Sequence, residues 1–341
     1  MSISMLIYSI FVVFMLFSCK ENSTYKSDEI KNVSATKSQD SLREIWTEYG
    51  VYGAFYSPDG KKISVGNARG QIYILDAVTF EQICMVKGHQ SNVHSIIFNP
   101  TSDWVISSSK DKDCKIWNVE DCSLYMNLKA IDFSTYTAAF ANKGKYCVVS
   151  GNNNDAIVMD VKNGKVVKRL KGHTNEIHIV LYSDDDKYIL TGSDDSTIIL
   201  FDAETGEKVR QFFGHQGAVN CSVIDHDNKT IVSASSDNTV KLWDLETGEM
   251  LHNFVGHEDN VYVALFNPQG NLIASSSKDR TIRIWDVESR KLVKVLKAHT
   301  NLVCTLYFSP DGKKLLSGGM DGTIKEWNVE TGELIRQKSF K

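Results

Sequence analysis

Proline is scarce, with 4 in 341 residues. Each follows Ser or Asn at the end of an apolar run (Ser57-Pro58, Asn99-Pro100, Asn267-Pro268, Ser309-Pro310), and that regularity hints at repetition. Net charge is nearly absent, at −4, which removes any electrostatic reason to expect a nucleic-acid partner. The 7 cysteines show no spacing that joins histidines into a zinc site. No glycine-rich loop follows a strand and opens a helix, as a phosphate cradle would. Asp184-Asp185-Asp186 lacks calcium-loop spacing and reads as a solvated turn. No metal and no cofactor are therefore expected. What remains, 42% hydrophobic and 23% charged, is an ordinary globular composition on a chain long enough for a large core.

Long apolar runs are also lacking, with one exception. Met5–Phe17 is apolar apart from Ser9. It is short for a membrane span and fits the apolar region of a signal peptide; an uncleaved membrane anchor is the alternative. Leu16-Phe17-Ser18-Cys19 resembles the lipobox of bacterial lipoproteins. The resemblance implies cleavage before Cys19 and a lipid on its thiol. Lys20, where an Asp would imply the inner membrane, points to the outer membrane of a bacterial envelope. Residues 1–18 are thus expected to be a signal peptide and 19–41 a polar tether, rich in Ser, Lys, Asn and Asp.

The remainder, 42–341, is periodic. Stepping by 42 residues gives Leu75-Asp76, Trp117-Asn118, Met159-Asp160, Phe201-Asp202, Trp243-Asp244, Trp285-Asp286 and Trp327-Asn328. His89, His173, His215, His257 and His299 obey the same step, four of them preceded by Gly. Each unit holds four short β-type runs separated by turn sequences such as Ser57-Pro58-Asp59-Gly60 and Glu246-Thr247-Gly248. Within Thr239–Trp243, Val240 and Leu242 share one face and Lys241 and Trp243 the other. One four-stranded sheet cannot bury both faces alone; seven packed radially can. Gly-His, Ser-Pro-Asp-Gly, Ser-x-Ser-x-Asp and Trp-Asp at this period resemble the WD-repeat family of β-propellers. The resemblance implies an all-β, seven-bladed propeller with four antiparallel strands per blade, and a role as a monomeric platform for a protein or peptide partner.

Ser, His and Asp are also the parts of a hydrolase triad. The resemblance implies another use, a hydrogen-bonded chain of His, Ser or Thr, Asp and Trp inside one blade. That set is complete four times: His89, Ser107, Asp111 and Trp117; His215, Ser233, Asp237 and Trp243; His257, Ser275, Asp279 and Trp285; His299, Ser317, Asp321 and Trp327. Unit one instead has Thr47, Val65, Arg69 and Leu75, and unit three has Ile131, Val149, Asn153 and Met159. Unit four keeps His173, Thr191 and Asp195 but has Phe201. A catalytic set occurs once per site, whereas a half-satisfied buried network is costly and is kept whole or dropped whole. The repeats therefore argue for structure, and no catalytic residue is expected.

The resemblance places the first strand of each blade around a central channel. Five residues after the His slot, near the channel entrance, come Tyr52, His94, Tyr136, His178, Asn220, Tyr262 and Cys304. Tyr with an exposed tip suits an interface. Lys110 and Lys278, just before the turn aspartates, share the rim and would suit a partner carrying a carboxylate. Cys114 and Cys147 read as small core residues, and the scatter of cysteines over separate blades argues against a disulfide framework. His226 and His252 lie off the repeat with no evident partner. For ring closure, the C-terminal strand (333–340) is expected to fill the last slot with Ser41–Trp46 beside it. Two other readings stay open: a small-ligand binder or enzyme at the channel mouth, and a cytosolic signalling-type scaffold.

Overall fold

The computed structural model describes residues 48–129 and 131–341. The apolar run, Cys19, the polar stretch, Ser41–Trp46 and Thr47 lie outside the described residues.

Among the described residues 28 strands form seven four-stranded antiparallel sheets, each in chain order from the inside outwards. Blade 1 spans 51–87, blade 2 93–127, blade 3 135–170, blade 4 177–212, blade 5 219–255, blade 6 261–297 and blade 7 303–339. The protein is a seven-bladed β-propeller. Burial grades outward in every blade, as blade 5 shows. Its second and third strands, Thr230–Ser235 and Thr239–Asp244, are buried on both faces, while the outer strand Met250–Val255 is largely accessible. Both faces can be apolar because neighbouring blades cover them. One core cluster joins Val232, Leu242 and Phe254 of blade 5 to Val261, Phe266 and Trp285 of blade 6.

The turn sequences act locally. In Ser57-Pro58-Asp59-Gly60 the Ser57 hydroxyl donates to Asp59 at 2.6 Å and Gly60 takes φ +71°, a conformation that disfavours other residues. The Gly before His89 has a packing reason: a Cβ on Gly88 would sit 2.6 Å from the Trp117 ring.

The C-terminal strand Leu334–Ser339 pairs with Thr323–Asn328 and completes blade 7. Among the described residues no sheet combines both chain ends, so side chains hold the seam between blades 7 and 1. Val51, Ala54, Leu316, Ile324 and Phe340 share one cluster there. Glu326 occupies a slot that is Ile, Val or Leu in the other six blades and is fully buried. It accepts hydrogen bonds from Arg336 (Nε to Oε2 2.8 Å, Nη2 to Oε1 3.0 Å) and from the Tyr56 hydroxyl of blade 1. Arg336 also donates to the carbonyls of Ala77 and Val78 and lies 3.8 Å above the Phe80 ring. A buried carboxylate needs such donors.

The cysteine expectation is corrected in part. Cys84, on the outer strand of blade 1, is disulfide-bonded to Cys122, in the turn after the third strand of blade 2. Separate blades did not preclude pairing, because adjacent blades stack face to face. Cys114 and Cys147 are buried free thiols in one core cluster. Burial pushes the Cys147 thiol up to about 12. His226 also has a partner, since its Nδ1 pairs with Asp184 of blade 4. Nor is the aspartate triplet merely solvated: Asp186 accepts from the backbone N–H groups of Asn142 and Lys143 of blade 3.

Candidate functional site at the channel mouth

The Ser-His-Asp sets come first, because their connectivity is that of a hydrolase triad. In blade 5 the Ser233 hydroxyl lies 2.7 Å from His215 Nε2, and His215 Nδ1 lies 2.7 Å from Asp237. Two features make it a structural chain. Trp243 Nε1 donates to Ser233 Oγ at 2.8 Å, and Ser233 is fully buried, so no substrate can reach the oxygen. Indole N–H donates to Ser; with the neutral imidazole that burial favours at His215, Ser O–H donates to Nε2 and Nδ1–H to the carboxylate. The same distances recur in blade 2 (2.7, 3.0 and 2.8 Å), blade 6 (2.8, 2.7 and 2.9 Å) and blade 7 (2.8, 3.1 and 2.9 Å). Blade 4 keeps the first two links, His173 to Asp195 at 2.8 Å and to Thr191 at 2.7 Å.

The aspartates carry more than the imidazole. Asp237 also accepts from the Gln216 N–H at 3.0 Å, the Thr239 N–H at 3.0 Å and the Thr239 hydroxyl at 2.6 Å. Burial alone would raise this carboxyl, but these donors outweigh it and hold Asp237 well below the usual carboxylate range. Asp111, Asp195, Asp279 and Asp321 behave alike. Burial lowers His215, His257 and His299 despite the neighbouring carboxylates. Sequence reasoning missed Thr197, Thr239, Thr281 and Thr323, whose hydroxyls hold these aspartates at 2.6 to 2.7 Å. Their signal was a Thr two residues after the Asp in four units.

The channel ring is built differently. In all seven blades the first strand carries a one-residue irregularity against the second, and the residue left out of the pairing is Tyr52, His94, Tyr136, His178, Asn220, Tyr262 or Cys304. A β-bulge re-aims the extra side chain, and here it sends all seven to the channel wall. Four of them, from blades 1 to 4, form a continuous arc of rings. Tyr52 meets His94 edge-on at 5.8 Å, His94 meets Tyr136 at 5.5 Å, and Tyr136 stacks on His178 at 5.6 Å. Each arc residue is tied down. Asn92 Nδ2 donates to the Tyr52 hydroxyl at 3.2 Å, and His94 Nδ1–H to the Thr135 carbonyl at 3.0 Å. The Tyr136 hydroxyl donates to Glu176 at 2.7 Å, and His178 Nε2 bonds Asp194. Burial pushes His94 down to about 4, so that ring is neutral.

The expectation of exposed tyrosine tips is corrected. Tyr136 and Tyr262 are 5% and 3% exposed, and only Tyr52 and Asn220 are half-buried. The inner strands stand so close around the axis that ring residues cover one another. Lys278 is paired with Asp259 at 3.3 Å, and Glu176 and Asp194 bring acidic charge to the same mouth, so the rim is mixed rather than cationic. Among the described residues no group of His, Cys, Asp and Glu could hold a metal ion, and no helix is long and apolar enough to cross a membrane.

Seven stacked four-stranded blades, four of them tied internally by His-Ser-Asp-Trp chains and all ringed by bulged residues, define a repeat propeller. The chain belongs to the family described as "WD domain, G-beta repeat", whose sequence pattern matches residues 80–118, 164–202, 206–244, 248–286 and 290–328, together more than half of the chain. Each match runs from the outer strand of one blade through the third strand of the next. The matches end in blades 2, 4, 5, 6 and 7, those that keep the histidine and aspartate. WD repeat-containing protein 1 of Gallus gallus is 39% identical over 67 residues, 19% of this chain and 11% of that protein. Periodic tryptophan protein 2 homolog of Dictyostelium discoideum is 32% identical over 94 residues, 27% and 10%. Pre-mRNA-processing factor 19 of Mus musculus is 28% identical over 88 residues, 26% and 18%. The chain spans less than a fifth of the length of each of these relatives. WD-repeat propellers generally serve as protein-interaction scaffolds.

Proposed function

We propose that this chain is a non-enzymatic binding platform, exported and tethered to a bacterial membrane, that takes a protein or peptide at the channel-entrance face. The observation that carries the choice of face is the bulge repeated in all seven inner strands, which gathers an arc of aromatic and imidazole rings at one mouth. Rigid aromatic groups supply binding energy at low entropic cost. Because the rim carries both signs of charge, binding depends weakly on salt. The test is capture of partners from the membrane fraction with wild type and with Tyr52→Ala combined with Lys110→Glu. Loss of a captured protein supports the face, and retention of every partner overturns it.

The tether reading rests on Leu16-Phe17-Ser18-Cys19 and the polar stretch that follows. Export is supported independently by the Cys84–Cys122 disulfide, since such bonds persist in oxidising compartments. Mass spectrometry of the membrane-extracted protein is expected to find an acylated Cys19 at the mature N-terminus, in the outer-membrane fraction. An unmodified N-terminus, or a soluble protein, overturns the tether. Trapping thiols at lysis is expected to leave Cys84 and Cys122 unalkylated until a reductant is added. Alkylation without reductant overturns export.

A further inference from the structure

Adjacent blades are joined along their outer edges by a contact that recurs with the repeat. A side chain on the outer strand of one blade reaches the turn after the third strand of the next. Stepping from Cys84 by the period, the outer-strand slot holds Lys168, Arg210, Lys294 and Arg336 in four other blades. The Lys168 ammonium donates to the Ala203 carbonyl at 2.8 Å, and the Arg210 guanidinium to the Thr247 carbonyl at 3.0 Å. Arg336 donates to the Ala77 carbonyl in the same way between blades 7 and 1. The turn residue beneath has a left-handed backbone in all seven blades and is Gly164, Gly206, Gly248 or Gly332 in four of them.

Between blades 1 and 2 the disulfide fills both slots. Cys84 stands where the cations stand, and its sulfur lies 3.6 Å from the Val119 carbonyl, the counterpart of Ala203 and Ala77. Cys122 stands where the glycines stand, at φ +57°, a conformation that a residue with a Cβ adopts at a cost. Reduction leaves nothing equivalent. A thiol is a weak, uncharged donor that does not replace Lys or Arg, and the bond that holds Cys122 in that backbone is gone. Blade 1 also begins the ring, so among the described residues the chain joins it to one neighbour, blade 2. Ile72 and Ile74 still pack on Val93 and Trp117 across this seam, so reduction loosens the joint without unfolding the ring.

We propose that the Cys84–Cys122 disulfide is a redox-sensitive latch on blade 1. Formed, it fixes blade 1 to blade 2; reduced, it lets blade 1 open locally while the rest of the ring stays folded. Release takes a dithiol reductant. One of its thiolates attacks the sulfur of Cys84, the less buried of the two residues, and Cys122 leaves as thiolate and takes a proton. The second thiol resolves the mixed disulfide, so two electrons and two protons pass to the cysteines and the reductant departs as its own disulfide. The same seam carries the first joint of the aromatic arc, where Asn92 donates to the Tyr52 hydroxyl and Tyr52 meets the His94 ring. Tyr52 travels with blade 1, so the state of the disulfide sets whether that arc is complete. The latch rests on neither the rim nor the tether reading, because its readout is exchange and not partner capture or localisation.

The test is hydrogen exchange of the purified full chain, oxidised and after reduction with dithiothreitol, which needs no variant to fold. Peptides across residues 51–87 are expected to exchange about tenfold or more faster on reduction, with blades 4 to 6 unchanged. Cys84→Ser is expected to show the fast rate with or without reductant. Cys84→Lys combined with Cys122→Gly, which copies Lys168 and Gly206, is expected to match the oxidised wild type in both conditions. Unchanged exchange across residues 51–87 on reduction overturns the latch. Equal acceleration in all seven blades overturns it too, since the disulfide would then be a general brace. A Cys84→Lys, Cys122→Gly variant as fast as Cys84→Ser overturns the assignment of this slot as what holds blade 1.

Discussion

Blade 5 and blade 3 fill the same space with opposite chemistry. In blade 5, His215, Ser233, Asp237 and Trp243 form a continuous hydrogen-bonded chain with its members buried or nearly so. In blade 3 the same slots hold Ile131, Val149, Asn153 and Met159, and the three apolar ones join a core cluster with Phe140, Cys147 and Ile157. Both solutions leave few polar atoms unpaired. Blade 1 follows blade 3 with Val65 and Leu75, and puts Arg69 in the aspartate slot, paired with Glu48 and 3.9 Å from the Tyr49 ring. The fold does not demand the polar chain. It demands that every polar group in the slots find a partner, as in blade 4, where His173 bonds Asp195 and Thr191 beside an apolar Phe201, because the cost lies in a partner left alone. The seam between blades 7 and 1 shows the same rule. Glu326, in an aliphatic slot, is tolerated because Tyr56 and Arg336 both donate to it.

The largest effect is expected at that seam. Glu326→Ala leaves the Arg336 guanidinium without its carboxylate and is expected to cost about 3–5 kcal/mol, read by denaturant unfolding. Glu326→Ile with Arg336→Leu, which imitates the other blades, recovers most of that loss. If the double variant is as unstable as Glu326→Ala, the pairing rule fails at the seam. Next comes Asp237→Ala, which strands the His215 N–H and the turn donors and is expected to cost about 1–3 kcal/mol. The sharper comparison converts blade 5 to the chemistry of blade 3 with His215→Ile, Ser233→Val, Asp237→Asn and Trp243→Met together. Despite four changes in the core, this variant is expected to be no less stable than Asp237→Ala alone. A much larger loss would show that the chain contributes beyond satisfying its own members.

The smallest effect per blade is the pH dependence. His215, His257 and His299 are held below free imidazole in the folded state. As pH falls below about 6.5 the unfolded chain gains protons that the folded chain does not, so stability declines. The depressed aspartates add a further loss below about pH 4 by the same sign. Hydrogen exchange on lowering the pH is expected to open blades 5, 6 and 7 before blade 3, whose slots do not titrate. Uniform opening of all blades would erase the distinction.

Much of this was legible because repetition supplies its own control. Seven copies in register exposed the period, the four strands and the units where the chain of four is missing. Glu326 stands in an otherwise aliphatic slot that the reading of the repeats passed over, and Arg336 and Tyr56 were not visible as its answer. The ring was located but its exposure was misjudged. Period-two alternation gives the side of a strand, whereas the bulge that re-aims Tyr136 and Tyr262 is a property of pairing between two strands.

Sequence by itself determined the blade count, the blade boundaries and which blades carry the polar chain, because those follow from spacing and residue type within one repeat. Tertiary structure alone decided what passes between repeats. Cys84 reaches Cys122 across blades 1 and 2, His226 reaches Asp184 across blades 5 and 4, and Glu326 reaches Tyr56 across the closing seam. Those partners are 38, 42 and 270 residues apart in the chain. Which of them meet is set by how twisted sheets stack around an axis, and that geometry is not written in any one repeat.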